Sequence, residues 1–140
     1  MFILSLTFLY LLYYALAVGF LIAAAVATGF WMGGLIGSLI PTMFASLMCG
    51  VSYARRIGRR APVEVAWGAA TLFAVVSAVA GIALFMLSVS DEEMSRLVEV
   101  ARASPMGLLF FAMMGLLITI VASRIFFGLG SRTWHGQVNA

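Results

Sequence analysis

Charge is scarce in this 140-residue chain: 9% of its residues are Asp, Glu, Lys or Arg, and 64% are hydrophobic. A soluble domain carries charge on about a quarter of its residues. This chain cannot cover its own surface with polar side chains, so lipid has to act as solvent for most of its exterior. The length suits one domain spanning residues 1–140 and leaves no room for a soluble catalytic domain beside the apolar segments.

Ionisable groups are missing where membrane chemistry needs them. No Asp, Glu, Lys, Arg or His falls in the middle of any apolar run. Proton-coupled transporters and pumps require such a group at depth, and small multidrug exporters depend on a glutamate in their first helix. The single histidine, His135, lies near the C-terminus, away from any position where it could ligate a haem. Cys49 is the only cysteine, which rules out an internal disulfide, a Cys-x-x-Cys pair and a Cys-only metal site. It reads as a small buried residue. Met43, Met48, Met113 and Met114 read as flexible filler rather than soft-metal ligands. No cofactor, metal site or nucleic-acid footprint is expected, and no enzymatic activity.

What is present is a set of four long apolar segments. Residues 1–28 carry no charged side chain and exceed the length needed to cross a hydrocarbon core of roughly 30 Å. Ala25-Val26-Ala27 resembles a signal-peptide cleavage site. The missing basic n-region and the long apolar run favour a retained helix. The 28–34 region, with Trp31 suited to an interface, reads as the first break. Residues 35–54 form the second span, kinked at Pro41 and closed by Tyr53 as an interfacial aromatic. Residues 64–88 form the third, with Pro62 and Glu64 at its start and Trp67 near the interface. Residues 105–127 form the fourth, with Arg124 near its end and able to snorkel. Residues 128–140 read as a loose polar tail.

Between spans three and four the pattern changes. Ser90-Asp91-Glu92-Glu93 is a capping-box sequence. Met94, Leu97, Val98 and Ala101 then repeat on one helical face, and Glu92 and Arg96 are paired i,i+4. This predicts a short amphipathic helix over 91–103, lying on the membrane surface or solvated. The expected fold is therefore all-α: an integral membrane four-helix bundle with a short amphipathic helix between spans three and four.

Arginines set the orientation. Arg55, Arg56, Arg59 and Arg60 share one loop, Arg124 and Arg132 end the chain on the same side, and the opposite loop has only Arg96 and Arg102. The positive-inside rule places the four-arginine loop and both termini in the cytoplasm of a bacterial inner membrane.

Small residues recur at four-residue spacing. Ala15, Gly19, Ala23 and Ala27 do so in span one. Gly34, Ser38, Thr42, Ser46, Gly50 and Ala54 do so in span two, Ala66, Ala70, Ala74 and Ala78 in span three, and Gly115, Thr119 and Ser123 in span four. Such ladders let helix backbones approach closely. Ser38, Thr42, Ser46 and Gly50, with Ala15, Gly19 and Ala23, are the expected helix-packing positions. Tyr10 and Tyr14 share a face in span one, where their hydroxyls need partners.

The run from Tyr53 to Trp67 includes Gly58-Arg59-Arg60-Ala61-Pro62-Val63-Glu64-Val65-Ala66-Trp67. It resembles the loop of a small family of uncharacterised four-helix bacterial inner-membrane proteins with a Gly-Arg-x-x-Pro-x-Glu-x-x-Trp pattern. The resemblance implies fold and location, and no activity. Close-packing helices without intramembrane chemistry point to a non-enzymatic accessory or assembly subunit of a larger inner-membrane complex. Its partners would be the lipid bilayer and other membrane subunits, or further copies of itself. The alternatives are a small oligomeric transporter or channel with a path along Ser38, Thr42 and Ser46 and, less strongly, an immunity protein against a membrane-active toxin.

Overall fold

The computed structural model describes residues 2–29 and 34–138. The described residues form helices and connections without strands. They comprise α1 (Phe2–Thr28), α2 (Gly34–Ile57), α3 (Val63–Ser88), α4 (Asp91–Ala103) and α5 (Pro105–Val138). Four of these, α1, α2, α3 and α5, are long and apolar enough to cross a bilayer. The chain is an all-α bundle with the character of a multi-pass membrane protein. Of the expected break at 28–34, residues 30–33, with Trp31, lie outside the described residues.

Local sequence explains where the helices stop. Gly29 and Gly58 have φ of 68° and 69°, left-handed values that glycine adopts without a Cβ penalty. The amide of Gly58 donates to the Ala54 carbonyl at 2.9 Å, closing α2 with a left-handed cap. Pro62 then accepts from the Ala66 amide at 3.0 Å, so α3 begins one residue later. At α4 the capping box forms: the Glu93 amide donates to Ser90 Oγ at 3.4 Å, and the Ser90 amide donates to Glu93 Oε2 at 3.1 Å. These bonds hold the Glu93 carboxyl below its ordinary value. Pro41 is buried inside α2 and does not end it.

The C-terminal segment corrects the expected tail. Residues 128–138 continue α5 as helix, and Gly130 and Ser131 are buried. Interior glycines weaken a helix by about 1 kcal/mol each. Here tertiary packing overrides that cost, because this stretch lies directly against α2.

The largest interface joins α2 and α5, which run in the same direction; α1 packs on α2, α3 on α5, and α4 touches only α5. Burial is unequal along the bundle. At the arginine end lie the start of α1, the end of α2, the start of α3 and the end of α5. There Leu6, Tyr10, Tyr14, Ala45, Cys49, Tyr53, Ala69, Phe73 and Phe127 form one core. None of the described side chains over 15–29 or 78–122 is buried. At the α4 end, Leu87 is 85% and Phe111 78% exposed.

Candidate functional site

Two features concentrate at the arginine end, and both grow from helical spacing. The first is a glycine crossing between α2 and α5. A Cβ on Gly50 would collide with the carbonyl oxygen of Phe127 and come within 3.0 Å of the Ser131 amide nitrogen. A Cβ on Gly130 would collide with the Leu47 carbonyl oxygen and reach 3.1 Å from the Val51 amide nitrogen. Each helix thus presents a glycine to the other's backbone, the closest approach two helices can make. Ser46 lies one turn before Gly50 and Ser123 two turns before Gly130, both fully buried and with hydroxyls that meet no partner. Their use at this interface is small size rather than polarity.

The second feature is a hydroxyl chain roofed by aromatic rings. Tyr10 is fully buried. Its ring stacks on Phe73 at 4.1 Å between centroids and 6° between planes, and Phe73 meets Phe127 edge-on at 5.9 Å. The Tyr10 hydroxyl lies 2.5 Å from Ser77 Oγ, and Ser77 Oγ lies 3.3 Å from Thr42 Oγ1. Thr42 donates its one proton to the Ser38 carbonyl at 3.0 Å. The direction of the chain follows from that assignment. With its proton committed, Thr42 accepts from Ser77, and Ser77 in turn accepts from Tyr10. Every hydroxyl proton has an acceptor, so three polar groups from three helices are buried without an orphan donor.

The expected packing residues separate into two groups. Thr42, Ser46 and Gly50 are buried on α2, whereas Ser38 is exposed and its carbonyl accepts from Thr42. Ala15, Gly19 and Ala23 correct the expectation for α1: all three face outward, and a Cβ on Gly19 would meet nothing within 4 Å. The reason is competition between two stripes. Leu6, Tyr10 and Tyr14, also four residues apart, bury far more surface and turn the small-residue stripe away. Tyr53, near the end of α2, is buried and packs edge-on against Phe127 at 5.9 Å between centroids.

Arg55, Arg56, Arg59 and Arg60 are exposed at the end of α2 and in the following loop. Arg56 donates to Ser5 Oγ at 2.9 Å and ties the start of α1 to the end of α2. Ser5, Leu6, Leu9, Ser52, Tyr53 and Arg56 line a crevice there with no room for a water molecule. Among the described residues no cluster of His, Cys, Asp and Glu could hold a metal ion.

The sequence reading missed Phe73, Ser77, Phe127, Gly130 and Ser131. A signal existed for part of this set. Gly115, Thr119, Ser123, Phe127 and Ser131 continue one four-residue ladder, and the assumed tail boundary cut it short. Comparison with known protein families, curated proteins and solved structures gives no match.

Proposed function

We propose that this chain is a non-enzymatic accessory or assembly subunit of a larger complex in a bacterial inner membrane, with both termini in the cytoplasm. The carrying observation is the unequal burial. Packed rings, a closed hydroxyl chain and a glycine crossing occupy the arginine end, while large side chains such as Val26, Leu87, Met106 and Phe111 project from the α4 end. A helix segment with no buried side chain contributes little to its own fold and is available to helices of another chain. Transmembrane association relies on such van der Waals surface, because lipid supplies no hydrophobic drive between helices. The backbone contact at Gly50 supports packing over conduction along span two, because it leaves no aqueous space at that face. The positive-inside distribution supports the orientation.

Native nanodisc extraction followed by mass spectrometry tests the proposal. A membrane partner in fixed stoichiometry is the expected result. Recovery solely as a homo-oligomer would favour the channel reading, and recovery solely as a monomer would end the accessory reading. Reporter fusions after Arg60 and at Ala140 should be cytoplasmic and one after Glu93 periplasmic, with the reverse pattern overturning the orientation.

A further inference from the structure

Among the described residues, Arg124 is the one basic side chain that leaves the exposed arginines and enters the wall of the bundle. From Pro105, at the start of α5, to Arg124 is a rise of about 28 Å. That is close to the thickness of a bilayer's hydrocarbon core, so its head group sits where hydrocarbon gives way to lipid head groups. The residue is half-buried, its ε nitrogen is sealed without a hydrogen-bond partner, and its guanidinium carbon lies 5.0 Å from the ring centre of Trp67. Such a distance makes an attractive cation–π contact, which fixes the plane of the guanidinium. Among the described residues no carboxylate pairs with it: Glu64, a turn before Trp67, is exposed, and the ion pair joins Arg96 to Glu92.

We propose that Arg124, held over Trp67, binds the phosphate of an anionic phospholipid in the leaflet at the arginine end. The ring orients the guanidinium, and its terminal nitrogens present the paired donors that suit a phosphate. The surroundings match a lipid rather than a soluble anion. Val121 and Ile125 flank Arg124 on α5, Thr71 and Val75 follow Trp67 on α3, and all four are exposed. Acyl chains descending from a head group at Arg124 would run along that apolar wall. The exposed Arg59, Arg60 and Arg132 add positive potential beyond it, which favours anionic over zwitterionic lipids. The site depends on the bilayer-spanning fold and is independent of which complex the chain joins.

The test uses the full chain with Trp31→Phe and Trp134→Phe, leaving Trp67 as the only indole. It is reconstituted in phosphatidylcholine vesicles carrying, at equal mole fraction, brominated phosphatidylglycerol or brominated phosphatidylcholine. Quenching of Trp67 should show a preference of roughly fivefold for the anionic lipid. Arg124→Gln should abolish the preference, and Arg132→Gln should leave most of it. Arg124→Lys keeps the charge but loses the planar fork. It should lose at least half the preference and decides the matter if Arg124→Gln does not reconstitute. Millimolar inorganic phosphate should not compete. Equal quenching by both lipids, a preference unchanged in Arg124→Lys and Arg124→Gln, or full competition by free phosphate would each overturn the proposal. Because the reconstituted chain is alone, a positive result also excludes an acidic partner as the necessary ligand.

Discussion

Gly50 and Gly19 are both interior glycines of apolar helices, and both belong to ladders of small residues. At Gly50 an added Cβ would run into the backbone of α5, while at Gly19 it would meet open space. The difference belongs to the two ends of the molecule rather than to the residues. Toward the arginine end the helices touch backbone to backbone, rings stack and the Tyr10, Ser77 and Thr42 hydroxyls are linked. Toward the α4 end the same kinds of residue face outward. A small residue in a membrane helix is therefore only permission for close approach, and whether the approach occurs depends on what competes for that face. On α1 the Tyr10–Tyr14 face wins; on α2 the Thr42–Ser46–Gly50 face is buried while Ile40 and Phe44 turn outward.

The sharpest way to break this contrast is to place bulk on both sides of it. Gly50→Leu and Gly130→Leu should each destabilise the folded chain by about 3 kcal/mol or more, because the α2–α5 crossing has to separate. Gly19→Leu and Gly81→Leu, whose surroundings are open, should leave the isolated chain folded. Reversible unfolding in mixed micelles reads all four, and equal losses would dissolve the distinction.

A smaller effect sharpens the hydroxyl chain. Ser77→Ala removes the acceptor of a buried tyrosine proton and should cost about 1–3 kcal/mol. Tyr10→Phe removes the first donor, strands no proton and keeps the ring stack on Phe73. Its loss should be near the 0.6 kcal/mol typical of transmembrane hydrogen bonds, roughly. The same unfolding assay checks the order. A Tyr10→Phe loss exceeding that of Ser77→Ala would reverse the assigned direction of the chain.

The smallest effect belongs to the α4 end. Glu93 has its carboxyl lowered by the Ser90 amide and hydroxyl from an ordinary value of 4.5. A lowered folded value means the cap stabilises α4 above pH 4.5 and loses that contribution as pH falls through the folded value. Protection factors of the first amides of α4, taken relative to the intrinsic exchange rate at each pH, should fall on acidification, with little change in the buried half of α2. Acid sensitivity that appeared first in α2 would contradict the assignment of separate stabilities to the two ends.

Much of the architecture was legible because hydropathy reports spans directly: the reading of 64–88 meets a helix over Val63–Ser88, and the capping box placed α4. The rest was hidden for identifiable reasons. α1 is apolar all round, so periodicity could not tell its buried face from its exposed one. Polar and glycine-bearing residues after Phe127 read as a tail, yet the missing Cβ of Gly130 is the condition for meeting Leu47. Ser77 carried no local signal, since its partners Tyr10 and Thr42 lie 67 and 35 positions away. The Arg124 site combined a visible basic residue with an invisible neighbour, because the sequence put both near an interface without saying that Trp67 would lie beneath the guanidinium.

The most direct test of the central contrast is a single methyl group placed at each end. Gly19→Ala and Gly50→Ala are compared with the parent chain by reversible unfolding of the isolated protein in one micelle composition. Gly19→Ala should be neutral or stabilising by up to about 1 kcal/mol, since alanine is the better helix former and nothing opposes its Cβ. Gly50→Ala should be destabilising by about 1–3 kcal/mol, since its Cβ meets the Phe127 carbonyl. Opposite signs are the predicted result; changes of the same sign and similar size would contradict a bundle packed at one end and left open at the other.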